Sequence, residues 1–542
     1  MPPKETNGIE IIQQGRIDFY VPLKFETTIN YDGICKEIND TLNETINDHL
    51  SKMQSELQDV YATVQDKICI ERDGKLSFSR NLKRWMRDRR ELKRVPVSRA
   101  NDDTFLEISP SERGVKVAIK PGEMLAYNDR CEELNFEYEQ YEKIYGVGFV
   151  NSQLRFTLWP INVQLVNGEY VWLNAVLCVF ENLMGVLKLE LPLVNVSPQA
   201  LKDYDYDAYI KSVDDKWDLL PADCELTIRN LRNAYIQRIT NKSHLTIIAQ
   251  EGMLKNIILA RFDGMPKQIH NIPGEVQEDL YKIIAAPVSE IGCASYRHIA
   301  REYIEKQSWG YHNMKYILST TGGCLSIVDT SLVDWLNTHY KEQWELSTLD
   351  NDKILSIDKS IIRDLCINAE YALLIPLLKL MNSTYIYSMK QMKPEEIHDV
   401  QMKYNLNLMF ISKIQEFCYG SASEQVEAFE KLMPYYLKEK IVTEKMQSID
   451  RILTDEESQR HEKLNNFISI VGLIVALVFG LPAIYDTFKI LRGLCAFITY
   501  NIPLLTIENT SFGVWIILII VLTVNIFRSR KISRKNTVLF KR

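Results

Sequence analysis

The run FISIVGLIVALVFGLPAIYDT, Phe467 to Thr487, decides how this chain is read. It lies within a stretch, Leu464 to Tyr485, that carries no charged residue. As a helix these residues rise ~33 Å, which matches a hydrocarbon core of ~30 Å. A second uncharged run, Asn509 to Phe527, has the β-branched core VWIILIIVLTV and is followed by RSRKISRK. The two runs predict a pair of transmembrane helices, 464–485 and 509–527, joined by a connector from about Asp486 to Ser511. The tail at 528–542 carries Arg528, Arg530, Lys531, Arg534, Lys535, Lys541 and Arg542, whereas the connector carries only Lys489 and Arg492. By the positive-inside rule the tail and the N-terminal block are expected in the cytoplasm and the connector outside. The expected location is the inner membrane, as a multi-pass protein in contact with membrane lipid.

The first run is uneven around its axis. Asn466, Ser469, Leu473, Ala476, Gly480 and Ala483 form a stripe of mostly small or polar residues, and Glu462 or Asn466 would supply a polar ring at its end. Gly472, Ala476 and Gly480 supply small-xxx-small steps that let helices approach closely. Three readings stand side by side: packing against the second helix of the same chain, packing between copies, and lining of a pore.

Outward from this run the chain changes character in steps. Residues 421–463 read as a stalk helix in which Val442, Met446, Ile449 and Leu453 keep a short coiled-coil spacing. Residues 351–420 are helical, with a kink expected at Pro376 and a helix start at Pro394. Residues 1–350 mix strand and helix and read as a sensor-like α/β domain. The predicted fold class is therefore α+β: a large cytoplasmic α/β domain, a helical stalk and a C-terminal two-helix transmembrane hairpin. The clearest strands lie in Leu154–Val196, where GVLKLEL sets Leu187, Leu189 and Leu191 opposite Lys188 and Glu190. That alternation predicts an antiparallel meander with one wet face.

Only 25% of the 542 residues are charged, with a net charge of -7, so the membrane part is small and a broad nucleic-acid surface is not indicated. The ten cysteines are scattered singly, with no pair at metal or redox spacing. No phosphate-binding loop, zinc-protease motif or nucleophile elbow is present. No catalytic residue and no metal site is expected, and the chain is not expected to be an enzyme. The turn STTGG (319–323) and the run YDYDAY (204–209) read as a hairpin turn and a solvated loop.

The order of these parts, an α/β block, helices, a long stalk, two terminal membrane helices and a basic tail, resembles the CorA family of pentameric two-transmembrane proteins over Ile361 to Arg542. Family members that carry magnesium end the first membrane helix with Gly-Met-Asn, whereas this chain reads Phe479-Gly480-Leu481-Pro482. It is in this respect similar to the CorA-like membrane effectors of type III CRISPR antiviral defence. That resemblance implies a homopentamer gated by a nucleotide second messenger, S-adenosyl-methionine joined to AMP (SAM-AMP), that opens a pore or disrupts the membrane. The alternative it implies is a divalent-cation (magnesium) transporter or channel. The segment RNLKRWMRDRRELKRVPVSR (80–99) then becomes the candidate ligand site, through Arg80, Arg84, Trp85, Arg87 and Arg90. Guanidinium groups match phosphate oxygens and an aromatic ring stacks on a base. The plainer reading is a solvated basic face, or one that pairs with a neighbouring subunit's acids or with lipid head groups.

Overall fold

The computed structural model describes residues 8–26, 29–49, 93–96, 104–111, 114–201, 210–215, 217–220, 226–250, 253–285, 296–319, 322–387, 394–416, 420–432, 439–495, 511–521 and 523–524. The chain divides into two units, one of residues 1–390 and 400–442, the other of 391–399 and 443–542.

The first unit is built on β1 (Ile12–Glu26), a 15-residue strand at the centre of an 11-stranded sheet. It pairs antiparallel with β8 (Met184–Val196) on one side and with β11 (Leu254–Phe262) and β10 (Thr246–Ala249) on the other. Beyond β8 come β7 (Tyr170–Phe180), β5 (Gln153–Thr157), β6 (Ile161–Gln164) and β9 (Ser212–Asp214). Beyond β11 lies β14 (Gly323–Val328), paired in parallel, then β13 (Met314–Leu318) and β12 (Ser308–Tyr311). A separate antiparallel sheet joins β2 (Lys93–Pro96), β3 (Thr104–Ser111) and β4 (Gly114–Pro121).

The two faces of the main sheet differ. Ile17 and Phe19 of β1, Leu187, Leu189 and Leu191 of β8, and Ile257 and Leu259 of β11 make one face wholly apolar. That face packs against α1 (residues 31–49), through Ile34, Ile38 and Leu42, and against Leu231 and Tyr235 of α5 (Ile228–Lys242). Between these helices in chain order come α2 (Gly122–Tyr145), α3 (Val147–Asn151) and α4 (Pro198–Leu201). After α5 follow α6 (Gly274–Ala285), α7 (Tyr296–Lys306), α8 (Thr330–Gln343) and the 37-residue α9 (Asn351–Tyr387), which holds Pro376. The opposite sheet face is covered by α2 and α9, with Leu365, Ile367 and Leu373 of α9 among the buried residues there. Next come α10 (Pro394–Glu416), α11 (Ser421–Leu432) and α12 (Glu439–Cys495), and last α13 (residues 511–521).

Two sequence expectations are corrected. The face expected to be wet is not: Lys188 and Glu190 are each 1% exposed, because α2 and α9 lie over them. The alternation identified a strand, but periodicity does not say whether the second face meets water or another layer. The transmembrane hairpin is likewise overturned: among the described residues no helix is long and apolar enough to cross a membrane. α12 is a single 57-residue helix with Pro482 inside, but its first half carries Glu456, Glu457, Arg460 and Lys463. The multi-pass inner-membrane location, with an external connector and a cytoplasmic tail, falls with the hairpin.

Gly15 gives a direct test of how tightly β1 is held. A Cβ there would stand 2.5 Å from the backbone carbonyl of Ile258, on a neighbouring strand that cannot rotate away. Gly15→Ala is expected to cost about 1–3 kcal/mol, the range for forced overpacking, read as a lower midpoint in chemical denaturation.

Candidate functional site

A row of polar side chains crosses the covered face of the sheet at one level. Asn174 of β7 lies opposite Glu190 of β8, Glu190 opposite Asp18 of β1, and Asp18 opposite Asn256 of β11. Asn256 in turn accepts a hydrogen bond from Ser326 of β14 at 2.8 Å. Paired residues in adjacent strands share a face, so strand register alone builds this row.

Above it stands a closed network of four buried cations, Arg16, Arg130, Arg155 and Lys188, and four buried carboxylates, Asp18, Glu137, Glu190 and Glu370. Arg130 of α2 grips Glu190 in bidentate fashion, Nε to Oε2 at 2.7 Å and Nη2 to Oε1 at 2.8 Å, and reaches Glu137 at 3.1 Å. Arg16 pairs with Asp18 at 2.7 Å. Lys188 bridges strand and helix: its Nζ lies 3.0 Å from Glu190 and 3.0 Å from Glu370 of α9. Glu370 also meets Arg155 of β5 at 2.7 Å and accepts from the Tyr141 hydroxyl of α2 at 2.8 Å. Cys366, one turn before Glu370 on α9, donates its thiol to Asp18 at 3.2 Å.

The electrostatics follow from burial and from the opposite charges alongside. Burial disfavours the charged form of Glu190, but Arg130, Lys188 and Arg16 override it and hold the carboxyl well below the usual range. Glu370 is opposed by burial in the same way, and Arg155 and Lys188 bring it down to about 2. Burial also works against the Lys188 ammonium, yet its anionic neighbours hold it well above the usual lysine range. The Cys366 thiol is pushed up, first by burial. Such a network is not reachable by a substrate. It holds α2 and α9 to the sheet at fixed positions, which is the best-attested use of buried ion pairs.

Of the residues expected to form a site, Arg80, Arg84, Trp85, Arg87 and Arg90 lie outside the described residues, as do residues 204–209. Glu462, Asn466, Ser469, Gly472, Leu473, Ala476 and Gly480 all fall on α12. Of these, Glu462, Asn466, Leu473, Ala476 and Gly480 are half-buried, while Ser469 and Gly472 are exposed. The small residues admit Trp515 of α13: its Nε1 donates to the Ala476 carbonyl at 3.4 Å, and a Cβ on Gly480 would stand 3.3 Å from it. Ala476 and Gly480 thus pack within the chain, whereas Ser469 and Gly472 face outward. Among the described residues no group of three or more His, Cys, Asp or Glu is placed to hold a metal ion. Two open hollows also escaped the sequence reading. One of about 920 Å³ is bordered by Lys143, Val147, Glu181 and Lys413. The other, about 1050 Å³, is bordered by Lys267, His270, His312 and Asp329. The first is bordered by α2, α3 and α10 and the second by segments around 264–276, 312–313 and 329–331, so neither leaves a local spacing signal. Comparison with protein-family models, curated proteins and solved structures finds no match for this chain.

Removing one member leaves its partners buried and unpaired. Glu370→Gln is expected to destabilise the first unit by about 3–5 kcal/mol in urea unfolding. The pH dependence has a definite sign. Glu370 binds its proton less readily folded, at about 2, than unfolded, at 4.5, so its contribution is complete above 4.5 and is lost as pH falls toward 2. Stability of the wild type should drop through that window, and Glu370→Gln should flatten the drop.

Proposed function

We propose that this chain is a non-catalytic, oligomeric effector that responds to a nucleotide messenger of the SAM-AMP type. The first unit is the receiver, and α12 is the element through which copies of the chain act on one another. The observation that carries this reading is the apolar surface of α12. Phe467 is 64% exposed, Phe479 67%, and Ile468, Val471, Ile474 and Val475 are exposed beside them. An apolar surface of this extent requires a cover. A second copy is the occupant the residues favour, because a Cβ at Gly472 would meet no described atom within 4 Å, which leaves that backbone open to close approach by another helix. The pore-opening output implied by the CorA-like resemblance is not carried forward, since it requires crossing helices.

Support for a non-catalytic role comes from the chemistry of the first unit. Its buried charge network is balanced, four cations against four carboxylates, and the thiols of Cys35, Cys178, Cys324 and Cys366 are all pushed up by burial, away from nucleophilic thiolate. Support for a nucleotide comes from the sequence of 80–99, which carries nine Arg and Lys in all, on both sides of Trp85.

Calorimetric titration of the full chain with SAM-AMP, with AMP as control, tests the receiver. Binding is expected to weaken about tenfold or more in an Arg84→Glu/Arg87→Glu variant, from the loss of charge-assisted contacts to phosphate. Equal affinity in both proteins would refute the assignment. Sedimentation velocity tests the assembly: wild type should sediment as an oligomer and Ile474→Glu as a smaller species.

A further inference from the structure

Lys188 and Cys366 face one another in a way the ion network does not require. The Lys188 Nζ lies 3.1 Å from the Cys366 Sγ, and both atoms belong to residues closed to solvent. Two carboxylates straddle the pair. Glu370 Oε2 stands 3.0 Å from the nitrogen and 3.4 Å from the sulfur. Asp18 Oδ2 stands 3.2 Å from the sulfur and 3.7 Å from the nitrogen. The Tyr20 hydroxyl completes the surround at 4.0 Å from the sulfur, and the Tyr20 ring centroid lies 5.7 Å from the nitrogen. An amine and a thiol are thus held in contact, with proton acceptors on both sides.

We propose that Lys188 and Cys366 form a covalent nitrogen–oxygen–sulfur bridge on exposure to dioxygen, which makes this pair a redox-responsive staple between β8 and α9. The balance is complete with dioxygen as the only oxidant. Thiol, ammonium and dioxygen yield the S–O–NH link, one water and one proton. The proton leaves the nitrogen as the O–N bond forms, because an oxygen-substituted nitrogen is far less basic than a free amine, and the flanking carboxylates relay it away. The S–H bond and two N–H bonds break, and S–O and O–N bonds form. Sulfur and nitrogen each lose two electrons, and dioxygen takes all four: one oxygen atom enters the bridge and the other leaves as water. Reduction reverses this with four thiol equivalents, regenerating amine and thiol and releasing the bridging oxygen as water.

The surroundings select this product over the usual ones. Cysteine oxidation ordinarily climbs through sulfenic to sulfinic acid, with thiols or peroxides reaching the sulfur from solvent. Burial excludes such bulky polar reagents, whereas dioxygen is small and apolar. The group nearest to an oxidised sulfur here is an amine, not a second thiol. Once formed, the link ties positions 178 residues apart in sequence. Cross-linking residues so far apart restricts the unfolded chain, so the bridged form should unfold at a higher temperature than the reduced form.

The test uses wild-type full chain prepared in air and, separately, without oxygen. Each sample is denatured, alkylated at free thiols and digested with trypsin. In the aerobic sample we expect a cross-linked peptide joining Lys188 and Cys366, heavier than the two peptides together by one oxygen less two hydrogens. Cleavage after Lys188 and alkylation of Cys366 should both fall in proportion. Dithiothreitol should restore both, and the anaerobic sample should lack the species. Exact mass separates it from lysine methylation. Full alkylation of Cys366 with full cleavage at Lys188 after prolonged exposure to air would overturn the proposal. So would a mass gain that maps to any other residue, or one that survives reductant. Cys366→Ala and Lys188→Met serve as further controls, each expected to abolish the species. Because the decisive readout is in wild-type protein, poor folding of either variant leaves it intact.

Discussion

The bidentate grip of Arg130 on Glu190, continued through Lys188 to Glu370, is the constraint on which the first unit depends. It joins α2, the sheet and α9 through buried charges. Moving either helix by one turn would strand buried ions, a loss comparable to a large share of a domain's whole stability. The apolar face of the sheet has no such demand, since hydrophobic packing tolerates small repacking. One face therefore supplies most of the burial and the other fixes position.

Much of the sheet was legible from sequence. Period-two alternation in GVLKLEL located β8, the glycine pair at 322–323 located the turn before β14, and Pro394 located the start of α10. The ionic site was not legible, for a physical reason. Its members lie on β1, α2, β5, β8 and α9, so that Arg130 is 60 residues from Glu190 and Lys188 is 182 from Glu370. No local spacing encodes such pairings, and Lys188 and Glu190 read individually as solvated strand residues. The one usable signal was Glu370 itself, a lone acid within the apolar run INAEYALLIPLLKL. A charge at that place in a covered helix requires a buried partner.

The C-terminal region shows the opposite balance. Of the small residues of α12, Ala476 and Gly480 take the packing of Trp515. Uncharged length alone misled: among the described residues no helix is long and apolar enough to cross a membrane. What remains is a long helix with an unsatisfied apolar surface, for which a second copy is the proposed cover. The Lys188–Cys366 contact adds a further layer, because the same side chains that fix α9 electrostatically are placed to fix it covalently.

The central claim is that opposite charges across the sheet–helix boundary are energetically coupled rather than merely adjacent. A double-mutant cycle on Arg130→Met and Glu190→Leu measures that directly in the stability of the full chain. The account predicts that each single change is severely destabilising and that the double variant recovers about 2 kcal/mol or more relative to the sum, because the remaining charges are again balanced. Additivity within about 0.5 kcal/mol would contradict it and reduce the network to independent, individually dispensable contacts.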